Sequence, residues 1–144
     1  MAEPGTPSID HLFDRAREKH QIDIVFSACN IGELIGTLDR RHQQKSLSDA
    51  ELSSAIQNFS DEILQMAEQG SILIMAITGR LLTASWRIIT REHIYEADAL
   101  QIASCRAEDC DTFLSADRQL LGAATRHKIR GFDPEKDQNR LTSL

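Results

Sequence analysis

Apolar residues recur along this chain with two periods. Over residues 8–20, Ile9, Leu12, Phe13 and Ala16 follow the helical period, and Pro7 suits a helix's first turn. Residues 22–26 are short and apolar and predict a strand. Ser27 is placed to cap a second helix reaching about His42, with Ile31, Leu34, Ile35 and Leu38 as its buried stripe. Ser48 and Glu51 make a capping-box pattern for a long helix ending near Gly70. Leu52, Ile56, Phe59, Ile63 and Met66 share its apolar side. Residues 71–75 are continuously apolar, the pattern of a buried strand. Helices are expected over 78–92 and 96–108, a strand over 112–115, a helix opened by Asp117 and a last strand over 129–132.

Short apolar strands alternating with amphipathic helices predict an α/β fold, a three-layer sandwich with a mostly parallel central sheet. Ligand sites in such sheets lie outside the carboxyl ends of the strands. The 144 residues suit one domain, with a C-terminal tail from about residue 135. Hydrophobic residues at 41% and charged residues at 26% give the profile of a folded rather than a disordered chain.

The net charge of −6 argues against a polybasic binder held by bulk attraction to phosphate. A local patch still acts against the net sign. No apolar run approaches the ~20 residues that span a bilayer, so no membrane role is expected. Cys29, Cys105 and Cys110 are odd in number and lack metal spacing. They predict a reduced, cytoplasmic protein with buried thiols, no disulfide frame and no zinc.

Three carboxylates follow strands or open helices. Glu33 points away from the Leu34/Leu38 stripe, on a side shared with Cys29, Gly32 and Gly36. Two glycines inside a helix suggest a close approach of another group. Asp98 falls in a first helical turn, where the helix dipole favours an ionised acid. Asp117 comes two residues after the 112–115 strand. Taken singly, Glu33 reads as a solvated helix acid and Asp98 as an ordinary capping aspartate. Asp117 reads equally as an N-cap and as a carboxylate held at the sheet's edge. Gathered in one place, the three would repel one another unless a cation neutralised them. Hard oxygen donors favour Mg²⁺ or Mn²⁺, ions that polarise a phosphodiester and lower the pKa of a water.

Arg80, Arg87 and Arg91 fall within a narrow arc of the 78–92 helix. They read as a solvated face or as a grip on RNA phosphates. The five histidines show no ligand spacing, and no Ser-His-Asp, Gly-x-Gly-x-x-Gly or P-loop pattern is present. A phosphoacceptor receiver domain would want a lysine after a late strand, whereas Lys128 precedes the last one.

Residues 97–103 (Ala-Asp-Ala-Leu-Gln-Ile-Ala), 112–121 (Thr-Phe-Leu-Ser-Ala-Asp-Arg-Gln-Leu-Leu) and 131–134 (Gly-Phe-Asp-Pro) resemble the PIN-domain family, notably its VapC-type toxin ribonucleases. The segment from Val25-Phe26-Ser27 to Glu33-Leu34 looks like that family's second acidic motif. The resemblance implies a PIN-like fold, with Glu33, Asp98 and Asp117 as metal-holding catalytic acids. It places Ser115 at a hydroxyl position two residues before the last acid. It also implies Mg²⁺ or Mn²⁺ as cofactor, RNA as substrate, a small antitoxin as partner and a homodimer. Family members open with a strand ending in an Asp-Thr-Ser-like motif, which supplies a further acid and the sheet's central strand. Residues Met1-Ala2-Glu3-Pro4-Gly5 look like the segment just downstream of it. The expectation is a sheet with its first strand missing. Two functions follow from the resemblance: a toxin endoribonuclease, or a degenerate PIN-like domain that binds antitoxin or RNA without cutting.

Overall fold

A computed structural model of the chain describes residues 4–18 and 21–144. The first helix, α1, spans Thr6–Arg17. Gly5 precedes it at φ 88°, and a side chain there would press on the Pro134 carbonyl carbon at 3.1 Å, so both backbone angle and space call for glycine. Expected to reach residue 20, α1 stops at Arg17; residues 19 and 20 lie outside the described residues.

Strand β1, Ile24–Ser27, leads directly into α2, Ala28–Gln43. Ser27 caps it, accepting from the Cys29 amide at 3.3 Å, while the Asn30 side chain accepts from the Ser27 amide at 2.9 Å. Helix α3, Asp49–Glu68, has the predicted capping box: the Ser48 amide donates to Glu51 Oε2 at 2.8 Å and the Glu51 amide to Ser48 Oγ at 3.3 Å. Strand β2, Ile72–Met75, follows, then α4, Gly79–Glu92, capped by Thr78. Helix α5 spans Glu96–Ala107, β3 Thr112–Leu114, α6 Arg118–Arg126 and β4 Arg130–Phe132. Gly131 in β4 is needed for closeness: a Cβ there would meet Leu121 Cδ2 at 2.7 Å.

The fold is α/β with parallel strands, as predicted. The strands stand as two pairs, however. β1 pairs with β2 in parallel, Ile24 opposite Ile72 through Ser27 opposite Met75. β3 pairs with β4 in parallel, Thr112 opposite Arg130 through Leu114 opposite Phe132. Among the described residues no strand joins the two pairs. The expected single central sheet is therefore open in the middle among the described residues.

The main core lies between α4, α5, β3 and α6, around Ile88, Ile102, Phe113 and Leu120. A second core joins α1, α3 and β2 through Ala16, Ile63, Met66 and Ile72. A third holds Leu12, Phe132 and Leu141. The segment from residue 135, expected as a tail, carries a short helix, α7 (Gln138–Leu141), whose Leu141 is fully buried there.

Two expected burials are not observed. α2 has no buried residue, and Leu34 and Ile35 stay more than a third exposed. β2 buries Ile72, but Leu73, which alternation turns to the opposite face, is 46% exposed. A side chain at Gly32 would meet nothing within 4 Å, and one at Gly36 only an arginine tip at 3.8 Å, so no close approach explains these glycines.

Candidate active site

The fold draws the three predicted carboxylates toward one another. Asp98 is the link. It sits in the first turn of α5, half-buried. Its pKa is raised, first by burial and then by repulsion from Asp117. Glu33, on α2, is raised for the same two reasons, burial first and then the charge of Asp98. Electrostatically the acids form a row from Glu33 through Asp98 to Asp117, spanning the carboxyl ends of β1 and β3.

Each acid is held differently. Asp117 is the N-cap of α6: its Oδ1 accepts from the Gln119 amide at 2.7 Å and the Leu120 amide at 3.1 Å. Ser115 Oγ accepts from the Asp117 amide at 3.0 Å, so the predicted hydroxyl position sets the backbone that presents Asp117. Oδ2 of Asp117 has no hydrogen-bond partner among the described residues, and the capping and functional readings of this residue are therefore compatible. Glu33 is more exposed than Asp98 and only partly desolvated at its carboxylate, whose Oε2 accepts from Gln101 Nε2 at 2.9 Å.

Gln101 was not singled out from sequence, although the signal was present. It lies three residues after Asp98 on the same helix, a spacing that places both on one face. It ties α2 to α5 across the row of acids.

The donor chemistry suits a hard divalent cation: carboxylate oxygens, mutually repelling and partly desolvated. Among the described residues, no three His, Cys, Asp or Glu side chains stand close enough together to hold a metal ion. The acids share a neighbourhood without forming a closed ligand set.

Residues 7–125 of the chain match the family model of the PIN domain. The chain belongs to the PIN-domain family. PIN domains are typically nucleases that act on nucleic acid and generally use divalent metal ions. No curated protein and no solved structure gives a significant match. Among the described residues, no helix is long and apolar enough to cross a membrane.

On α4 of this PIN domain, Arg80, Arg87 and Arg91 are all exposed, opposite the buried Leu81, Ser85 and Ile88. Arg91 leans toward Glu92, its Nε 3.5 Å from Oε1. Arg80 and Arg87 form no ion pair among the described residues. Trp86, 56% exposed, flanks them and was not anticipated. Glu92 is also a surprise. Its carboxylate is buried between α4 and α6, bonded to Arg126 and 3.1 Å from His127 Nε2. The bond from Arg126, outweighing burial, holds its pKa below the ordinary value. This cluster is structural, away from the row of acids.

Of the three thiols only Cys105 is buried; Cys29 and Cys110 are half-buried, and all are free. Cys105 donates to Cys110, which together with burial pushes the Cys105 pKa up and lets that of Cys110 fall.

Proposed function

We propose that this chain is a divalent-metal-dependent endoribonuclease, the toxin of a toxin–antitoxin pair, with Mg²⁺ or Mn²⁺ held by Glu33, Asp98 and Asp117. The observation that carries this reading is the row of acids itself. Glu33 and Asp98 carry raised pKa values, each owed in part to the charge of the next acid in the row, and a cation would relieve both. Stability alone does not call for such an arrangement, since like charges oppose folding.

In this reading Gln101 orients Glu33, and the α6 amides fix Asp117. Arg80 and Arg87 bind RNA phosphates, and Trp86 offers a face on which a base stacks. Ser115 positions Asp117 and stands close to the scissile group. A bound ion supplies the charge that polarises the phosphodiester and lowers the pKa of the attacking water. A further carboxylate, of the kind family members carry on an Asp-Thr-Ser-like strand, would complete the ligand set. The protein is read as cytoplasmic and dimeric, and a small antitoxin restrains it.

The second reading is a PIN domain that binds RNA or antitoxin without cutting. Two observations favour it: the gap between the strand pairs, and acids that share a site without closing around an ion.

Incubation of the chain with a structured RNA and Mg²⁺ separates the two. The nuclease reading expects cleavage that EDTA abolishes and that Asp98→Asn reduces on the order of 100-fold, with the far-ultraviolet spectrum unchanged. RNA binding with no cleavage at any Mg²⁺ or Mn²⁺ concentration would establish the second reading instead.

A further inference from the structure

Helix α5 ends in a turn that brings two sulfurs together. Asp109, just past its last residues, is left-handed at φ 49°. The Cys110 amide donates to Cys105 O at 2.9 Å, and the Asp109 amide to Arg106 O at 3.4 Å. These two bonds, one nested inside the other, close the helix and fold the side chains at 105 and 110 onto each other. The same turn ends α2, α3 and α6, where the paired positions hold Arg41 with Ser46, Met66 with Ser71 and Ala124 with Ile129. At α5 both positions are cysteine, and the Cys105 thiol donates to Cys110 Sγ. Backbones joined by such a bond keep their Cα atoms about 5.5 Å apart, inside the roughly 4.4–6.8 Å that a disulfide spans. The contact is local to the turn, so bridging it moves no element past another.

The surroundings make the two thiols unequal. Cys105 is buried in the main core, while Cys110 is half-buried in a turn whose Glu108, Asp109 and Asp111 are exposed. The hydrogen bond from Cys105 holds the Cys110 pKa below its ordinary value, against burial and the charges of Glu108 and Asp111. Cys110 is therefore the thiolate, and Cys105 the second thiol waiting beside it. An accessible thiolate next to a resolving thiol is the arrangement of a reversible redox site. Cys29, on α2, lies outside this turn.

We propose that Cys105 and Cys110 are a redox-responsive modification site, at which hydrogen peroxide converts the thiol pair into a disulfide and a dithiol restores it. The Cys110 thiolate attacks one peroxide oxygen. The O–O bond breaks, and the other oxygen leaves with the electron pair and is protonated to water. Cys110 is now a sulfenic acid, oxidised by two electrons, and the peroxide is reduced. Cys105 gives up its proton, and its sulfur attacks the Cys110 sulfur. The S–O bond breaks, and hydroxide departs to become a second water. Two thiols and one peroxide thus yield one disulfide and two waters. The bond staples the end of α5, which carries Asp98, to the segment entering β3, which leads to Asp117. The inference rests on the turn and not on the carboxylate row, so it stands or falls separately from catalysis.

The test treats the reduced 144-residue chain with a modest excess of hydrogen peroxide. Free thiols should fall from three per chain to one. Trypsin cuts after Arg106, between the two cysteines, so peptides 92–106 and 107–118 should stay joined until dithiothreitol is added. Cys29→Ser should leave this bridge intact. Cys105→Ala should stop at the Cys110 sulfenic acid, which dimedone traps. In a glutathione buffer the folded chain should hold the bridge about tenfold more strongly than the urea-unfolded chain, because the turn positions the thiols in advance. A thiol count that stays at three would overturn the proposal. So would a bridge that includes Cys29 or joins two chains, dimedone addition to Cys29 in place of Cys110, or a folded chain that holds the bridge no better than the unfolded one.

Discussion

The two halves of the molecule differ in how completely they are closed. α5 buries Ala99, Leu100, Ile102, Ala103, Ser104 and Cys105 out of twelve residues. α2 has sixteen and buries none. Both carry apolar stripes. α5 lies in the main core, against α4, α6 and β3, whereas α2 rests on β1, whose far edge is open. An amphipathic helix reports where it would bury surface, and a neighbouring layer decides whether it does. The candidate site straddles this division, with Asp98 and Asp117 on the closed half and Glu33 on the open one. Stability and assembly of the site are therefore separable.

The sharpest way to break that comparison is a pair of core truncations read by urea denaturation. Ile102→Ala in α5 should cost about 2–5 kcal/mol, since Ile102 is fully buried. Leu34→Ala in α2 should stay within about 0.5 kcal/mol. Equal losses would mean that α2 is as well packed in solution as α5.

A smaller effect tests the bridge between the halves. Gln101→Ala removes the hydrogen bond that orients Glu33 and should weaken Mg²⁺ or Mn²⁺ binding about tenfold, with little change in stability. Calorimetric titration reads it directly. Unchanged affinity would remove Gln101 from the site.

The smallest effect is in pH, and the candidate site and the Glu92 cluster carry opposite signs. Glu33 and Asp98 have folded pKa values above the ordinary 4.5 and 3.8. The folded chain holds their protons more tightly than the unfolded chain does. Their favourable contribution is present below those ordinary values and is lost as pH rises through the folded ones. Glu92 has the reverse sign: its contribution is present above 4.5 and is lost as pH falls through its lowered pKa. Urea midpoints between pH 3 and 7 should therefore show Asp98→Asn gaining on the parent chain as pH rises. Added Mg²⁺ should narrow that gap by neutralising the acids. A gap that widens with pH in the presence of Mg²⁺ would argue against a shared cation.

Much of the fold was legible because it is written in local signals. The Ser48/Glu51 box, the Ser27 and Asp117 caps, and the shifts between the two apolar periods placed the elements to within a few residues. The three acids were legible only in combination, through their placement after strands and the resemblance to PIN domains. Gln101 was less visible, because its hydrogen bond reaches a residue 68 positions away. Glu92 drew no notice in the sequence, and only the packing of α6 on α4 made it buried. The α7 helix passed for a tail because one apolar residue, Leu141, anchors it.

Sequence by itself determined the order of strands and helices, their caps, and the family to which the chain belongs, because period and capping act over a few residues. Tertiary structure alone decided which stripes found cover, that the strands stand in two pairs, and that Glu33, Asp98 and Asp117 feel one another's charge. Those properties depend on which surfaces meet, and burial and Coulomb forces act through space between residues that the chain keeps far apart.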